Sequence, residues 1–254
     1  MFKKIKKYFK GDNKSEYLKF INHLNQIYIH TPIDFGGGCS HEKALVIGFF
    51  IKEFNFQNTV DIGVYRGRSL FPQSLAHKFY TNGTVFGIDP YDKQAAIQTD
   101  RKDISSSLSS FVEETNFDQI YSDVKNLTKE FHLSKHTCFL RTKSSDAVTY
   151  FSENLIKVDL VHIDGNHDTK YVMQDVIDYL PLLKENGIIV LDDISWNSVK
   201  PAYRELGKEL FHLADFVNDY NDFSVFINST NSLIHDQAAK IFKSIINLET
   251  IKNQ

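Results

Sequence analysis

Val60-Asp-Ile-Gly-Val-Tyr-Arg-Gly-Arg-Ser69 reads as a short buried strand running into a glycine-containing turn, with a helix beginning near Ser69. In an open parallel sheet, the first strand-to-helix turn is where ligands meet the carboxyl ends of the strands. A dinucleotide fingerprint would place a second glycine two residues after Gly63, so that the backbone can approach a pyrophosphate. That position is Tyr65, and a pyrophosphate is disfavoured. A ligand carrying an ammonium, a carboxylate and a ribose diol suits the turn better. Asp61, the Ser69 hydroxyl and the glycine backbone at Gly63 and Gly67 combine acceptors with helix-start donors.

Outward from this turn, short β-branched runs alternate with longer segments of helical period, the pattern of βαβ units. Thr84–Ile88, Thr137–Arg141, Val158–Ile163 and Gly187–Leu191 follow the first strand. Two last candidates, Leu213–Val217 and Phe223–Ile227, are separated by too few residues for a crossover helix, so they form an antiparallel hairpin. The expected fold is α/β, a doubly wound, mostly parallel seven-stranded sheet closed by a C-terminal antiparallel hairpin. Residues 1–58 form an N-terminal helical extension, 59–230 the ligand-binding domain, 92–136 a helical insert or lid within it, and 231–254 a C-terminal helix.

Asp89 follows the second strand, where a carboxylate can accept hydrogen bonds from both ribose hydroxyls; alternatively it only opens the turn before Pro90. Ser144 and Asp146, after the third strand, are candidates for the adenine end or for caps of a helix starting near Ala147. The fourth strand ends in His162-Ile-Asp-Gly-Asn-His-Asp168 and the fifth in Val190-Leu-Asp-Asp-Ile-Ser-Trp196. If those strands are parallel neighbours, about 4.8 Å apart, then Asp164, Asp192 and Asp193 crowd one small volume. Such crowding is costly without a cation, and oxygen ligands suit magnesium, with manganese or calcium as substitutes. The competing reading sends Asp192 and Asp193 to opposite sides, one of them merely capping the next helix.

The Asp61–Ser69 segment resembles the first motif of class I S-adenosylmethionine-dependent methyltransferases, in particular the metal-dependent caffeoyl-CoA type and the bacterial sugar O-methyltransferases of macrolide and aminocoumarin pathways. The likeness runs from the Gly36-Gly-Gly-Cys-Ser40 loop to Trp196 and is weak in the insert and beyond the hairpin. It implies S-adenosylmethionine as methyl donor and Mg2+ or Mn2+ held by Asp164, Asp192 and Asp193. It also implies methylation of a hydroxyl on a sugar, with a catechol or other vicinal diol as the alternative acceptor. Asp164 and His167 are the expected catalytic pair: His167 lies on the same loop and can take the hydroxyl proton, unless it only bonds the loop backbone. A hydroxylase-associated protein or a non-catalytic module of the same fold is disfavoured by the missing redox motifs and the intact acidic residues.

Composition narrows the partners. A chain of 254 residues with 42% hydrophobic residues, a net charge of -3 and a pI near 6.4 lacks the basic face of a nucleic-acid binder and suits a small-molecule or glycan substrate. Cys39 and Cys138 cannot build a disulfide framework, and no leader or membrane span is evident, which together point to the cytoplasm. Phe2, Ile5 and Phe9 share a helical face against five lysines in residues 1–10, the pattern of weak membrane-surface contact, although a solvated terminus is the favoured reading. Assembly into a homo-oligomer is left open.

Overall fold

The computed structural model describes residues 14–34, 38–101, 105–218 and 221–249. The basic segment 1–10 and residues 35–37 of the glycine loop lie outside them. Among the described residues, two helices precede the sheet. In α1 (Lys14–Ile29), Tyr17, Phe20, Ile21, Leu24, Ile27 and Tyr28 recur at helical spacing and are all buried. The Ser40 hydroxyl caps α2 (His41–Glu53) by accepting the Lys43 N–H at 3.1 Å, and α2 is then buried continuously from Lys43 to Ile51. Each such aliphatic or aromatic side chain contributes roughly 1.5–3 kcal/mol when withdrawn from water.

The sheet follows as β1 (Asn58–Ile62), β2 (Thr84–Ile88), β3 (Thr137–Leu140), β4 (Val158–Ile163), β5 (Leu183–Asp192), β6 (Phe211–Val217) and β7 (Asp222–Ile227). Their spatial order is β3-β2-β1-β4-β5-β7-β6, with β1 to β5 parallel and β7 antiparallel to both β5 and β6. The hairpin therefore folds back so that its second strand, not its first, joins the parallel sheet. Helices cover both faces. On one side α1, α2, α3 (Leu70–Ala76) and α10 (Ser232–Glu249) meet Leu160, Ile188 and Val190; on the other, α7 (Ser144–Glu153), α8 (Thr169–Tyr179) and α9 (Lys200–Glu209) meet Val161, Ile189 and Leu191. Alternate residues of β4 and β5 thus feed opposite cores, as a doubly wound sheet requires.

Between β2 and β3 the chain forms α4 (Lys93–Ala96), α5 (Ser105–Glu114) and α6 (Phe117–Glu130). Helix α8 ends at Tyr179 and continues as a single 3₁₀ turn, Leu180–Leu182, because Pro181 has no N–H to continue the ladder. The helix read as starting near Ala147 begins at Ser144. No helix among the described residues is long and apolar enough to cross a membrane.

Candidate functional site

A cavity of about 1150 Å³ opens over the carboxyl ends of the parallel strands, with Gly63, Asp89, Ser144, Asp164, Asp193 and Trp196 in its wall. Gly63 is required there. Its φ is +87°, and a Cβ would lie 2.0 Å from the carbonyl oxygen of Asp164, so the β1 and β4 tips can close together only at glycine. Past that turn, Asp89 receives the Tyr65 N–H at 2.9 Å and the Tyr91 N–H at 2.7 Å, one on each carboxylate oxygen. Burial raises the Asp89 pKa to about 6 against the pull of those two donors. Each oxygen keeps a lone pair for a diol.

Of the residues assigned to a cofactor from sequence, Gly63, Asp89 and Ser144 line this cavity, while Asp61, Gly67, Ser69 and Asp146 do not. Asp61 is fully buried. It pairs in register with His162 of β4, and its carboxylate accepts from Ser69 Oγ (2.9 Å), Gln73 Nε2 (3.1 Å) and His162 Nδ1 (2.8 Å). The Ser69 hydroxyl is spent on that bond. Gly67, at φ +81°, packs against the Phe71 ring, where a Cβ would come within 2.6 Å. Asp146 is exposed in the first turn of α7, a position favoured by the helix dipole. Ser144 donates its hydroxyl to Asp175, a second buried carboxylate of the wall whose pKa burial raises to about 7.

The acidic cluster forms because β4 and β5 are parallel neighbours with Ile163 opposite Leu191, which brings Asp164 beside Asp192. Asp192 and Asp193 do diverge, but within the cluster. Both line the cavity, but Asp192 is nearly inaccessible and pairs with Lys43, whereas Asp193, in the left-handed region at φ 52°, turns toward His167. His167 Nε2 lies 3.4 Å from both Asp164 Oδ1 and Asp193 Oδ2, and its Nδ1 lies 3.4 Å from Gln98 Nε2. Burial works against charge on His167, yet Asp193 and Asp164 outweigh it and raise its pKa.

Two members of the cluster carry no flag in a sequence reading. Lys43 of α2, wholly buried, pairs with Asp192 and lies 3.6 Å from Asp164 Oδ2. Burial alone would discharge it, but the two carboxylates hold it protonated, and it helps to hold Asp164 ionised in turn. A lysine opening an otherwise apolar helical stretch was the available signal. His162 presents Nε2 4.0 Å from Asp164 Oδ2; it stands two residues before Asp164 and so shares its side of the strand. His162 Nε2, His167 Nε2 and Asp192 Oδ1 are buried without a hydrogen-bond partner.

The segment after α4 is tied to the loop that carries Asp164 and His167. Asp168 accepts the Thr99 and Asp100 N–H groups and the Thr99 hydroxyl at 2.7 to 2.9 Å, and Asp100 returns the bond by accepting the Thr169 N–H at 2.8 Å. Asn166 Nδ2 donates to the carbonyls of Ala95 and Ile97, and Arg101 lies 4.1 Å from the centroid of the Trp196 ring. Asp168→Ala strands three donors and is expected to release residues 95–101. Hydrogen exchange of that segment should accelerate by on the order of 10-fold or more while the β1 and β4 amides keep their protection. Unchanged exchange there would show that Asp168 is not the tie.

Residues 60–194 match the family profile of a methyltransferase domain, more than half of the chain. The chain belongs to this methyltransferase family. Among solved structures, the methyltransferase is similar to an O-methyltransferase from Bacillus cereus in complex with SAH, at 11% identity and a TM-score of 0.57 over 81% of this chain and 90% of that one. It is likewise similar to the O-methyltransferase TomG from Streptomyces achromogenes, involved in tomaymycin synthesis and solved in complex with SAM, at 10% identity and a TM-score of 0.58 over 82% and 88% of the two chains. Identities this low speak for a shared class I methyltransferase fold. No curated protein matches the sequence.

Proposed function

We propose that this methyltransferase moves the methyl group of S-adenosylmethionine to a hydroxyl oxygen of a sugar-type acceptor, with help from a divalent metal ion. The observation that carries the reading is one cavity with a diol-accepting carboxylate, Asp89, on one side of Gly63 and the Asp164, His167 and Asp193 cluster on the other. Its volume exceeds the roughly 300–1,000 Å³ of a single-ligand pocket, leaving room for donor and acceptor together. A metal ion fits the donor set: Asp164 and Asp193 bring carboxylate oxygens to one part of the cavity wall, while the Lys43 ammonium is engaged by Asp192. Asp164 and Asp193 converge on the cavity side beside His167, whose Nε2 is left to act as the base, and His162, Asp164 and Asp192 lie behind them.

In the reaction the acceptor oxygen forms a bond to the methyl carbon as the carbon–sulfur bond breaks, and the sulfonium becomes a thioether. The hydroxyl proton goes to His167 Nε2, where Asp164 and Asp193 stabilise the imidazolium. A divalent ion at these carboxylates would supply Lewis-acid stabilisation of the acceptor alkoxide. Trp196, half-buried beside His167 at 5.1 Å between rings, borders the acceptor side, whereas Phe111 of the insert packs against the Tyr65 ring beside Asp89. The reading also places the enzyme in the cytoplasm, where Cys39 and Cys138, both free, stay reduced.

Methyl transfer from labelled S-adenosylmethionine to a panel of sugars and catechols, with Mg2+ or with chelator, tests this reading. Turnover on sugars that chelator abolishes supports it; turnover on catechols alone moves the acceptor class, and no transfer to any hydroxyl overturns it. For the donor side, Asp89→Asn should weaken S-adenosylmethionine binding by about 10-fold or more, the loss of charge-assisted bonds to a diol. Because the carboxylate is the accepting form, wild-type affinity should fall as pH drops through about 6, whereas the variant's profile stays flat. Calorimetric titration at pH 5 and 8 reads both, and equal pH dependence in the two proteins would remove Asp89 from the donor site.

A further inference from the structure

Lys43 lies outside the residues that match the family, yet its ammonium reaches the deepest part of the acidic cluster. The inner group, His162, Asp164 and Asp192, could by itself converge on an ion, and His162 is aimed there by the bond from its other nitrogen to Asp61. That is also where the Lys43 Nζ sits, against Asp192 and 3.6 Å from Asp164, on a side chain with no exposed surface. The outer group, Asp164, His167 and Asp193, faces the cavity. A second divalent ion in the inner group would face a fixed positive charge at contact distance, where the buried surroundings screen little.

We propose that the Lys43 ammonium takes the place of an inner ion among His162, Asp164 and Asp192, so that the enzyme binds one divalent ion, at the outer carboxylates Asp164 and Asp193, and keeps its inner carboxylates in place without any. The inference rests on the divalent-ion reading above. Lys43 is thus a positioning residue supplied by the N-terminal helices: it sets the charge of the cluster and keeps Asp164 free on its cavity side.

The test uses full-length wild type, Lys43→Met, Lys43→Arg and the double variant Lys43→Met/Asp192→Asn. Each is titrated with Mn2+ by calorimetry and electron paramagnetic resonance and melted in chelator and in Mn2+. Wild type and Lys43→Arg should bind one Mn2+, stay folded to high temperature in chelator, and melt higher in Mn2+ only by the small amount that one bound ion supplies. Lys43→Met should melt much lower in chelator, recover in Mn2+, and either take a second ion or bind Mn2+ about tenfold or more tightly. A lysine that only packs would give no such gain. The double variant, with the charge and its partner both gone, should recover stability in chelator and bind no second ion. It carries the test if Lys43→Met does not fold. Wild-type Mn2+ binding in Lys43→Met, or a double variant no more stable than the single, overturns the proposal. If wild type binds no Mn2+ but Lys43→Met gains a site, the metal-assisted reading fails while the role of Lys43 stands; binding by neither overturns both.

Discussion

Asp164→Asn and Asp193→Asn are each expected to cut turnover by on the order of 10³-fold while leaving S-adenosylmethionine binding within about twofold of wild type. Both side chains face His167 and the cavity, and each change removes a negative charge that would hold a divalent ion and stabilise the imidazolium. Neither touches Asp89, on the far side of Gly63, so the donor site is left whole. Excess chelator on the wild type should reproduce the loss. Methyl-transfer rates beside calorimetric titration of the donor separate the two effects. Full activity of Asp193→Asn in chelator would leave a metal-independent base mechanism through His167.

Asp61→Ala should act differently, through stability. Its carboxylate is the common acceptor for Ser69, Gln73 and His162, and of these Gln73 also donates to the Ser69 carbonyl at 3.3 Å. Removing one side of such a network costs about 3–5 kcal/mol, because the partners stay buried and unpaired. For a chain of this size that lowers the melting temperature by roughly 10 °C. Asp89→Asn should melt close to wild type. Thermal and denaturant unfolding of the two variants side by side checks the contrast, and an Asp61→Ala protein as stable as wild type would return Asp61 to the ligand-facing role that its place in the loop suggests.

The same two aspartates show how far a site can be read before its fold is known. Both stand near strand tips beside a glycine turn, and on sequence terms both suit the cofactor. Asp89 follows the end of β2, where the chain has left the sheet, and its carboxylate lies in the cavity wall on the Tyr65 and Tyr91 N–H groups. Asp61 lies within β1, one residue before its end, so the pleat decides which way it points. In a sheet covered on both faces, apolar residues fill both sides of each strand and the pattern does not tell one side from the other. Pairing with His162 sends Asp61 into the protein.

Local periodicity and turn composition carried the alternation of strands and helices, the antiparallel closing hairpin and the glycine turn, while the meeting of Asp164 with Asp192 and Asp193 depended on β4 and β5 being neighbours, which the fold supplies. Only the tertiary structure placed β7 between β5 and β6, fastened the insert to the loop of His167 through Asp168, and brought Lys43 to Asp192 across 149 residues of chain. The reason is physical. Periodicity records which residues of an element are buried, whereas the partner of a buried charge is set by how separate elements pack, and a lysine at the head of an apolar helix shows its role only once the acids it neutralises lie beside it.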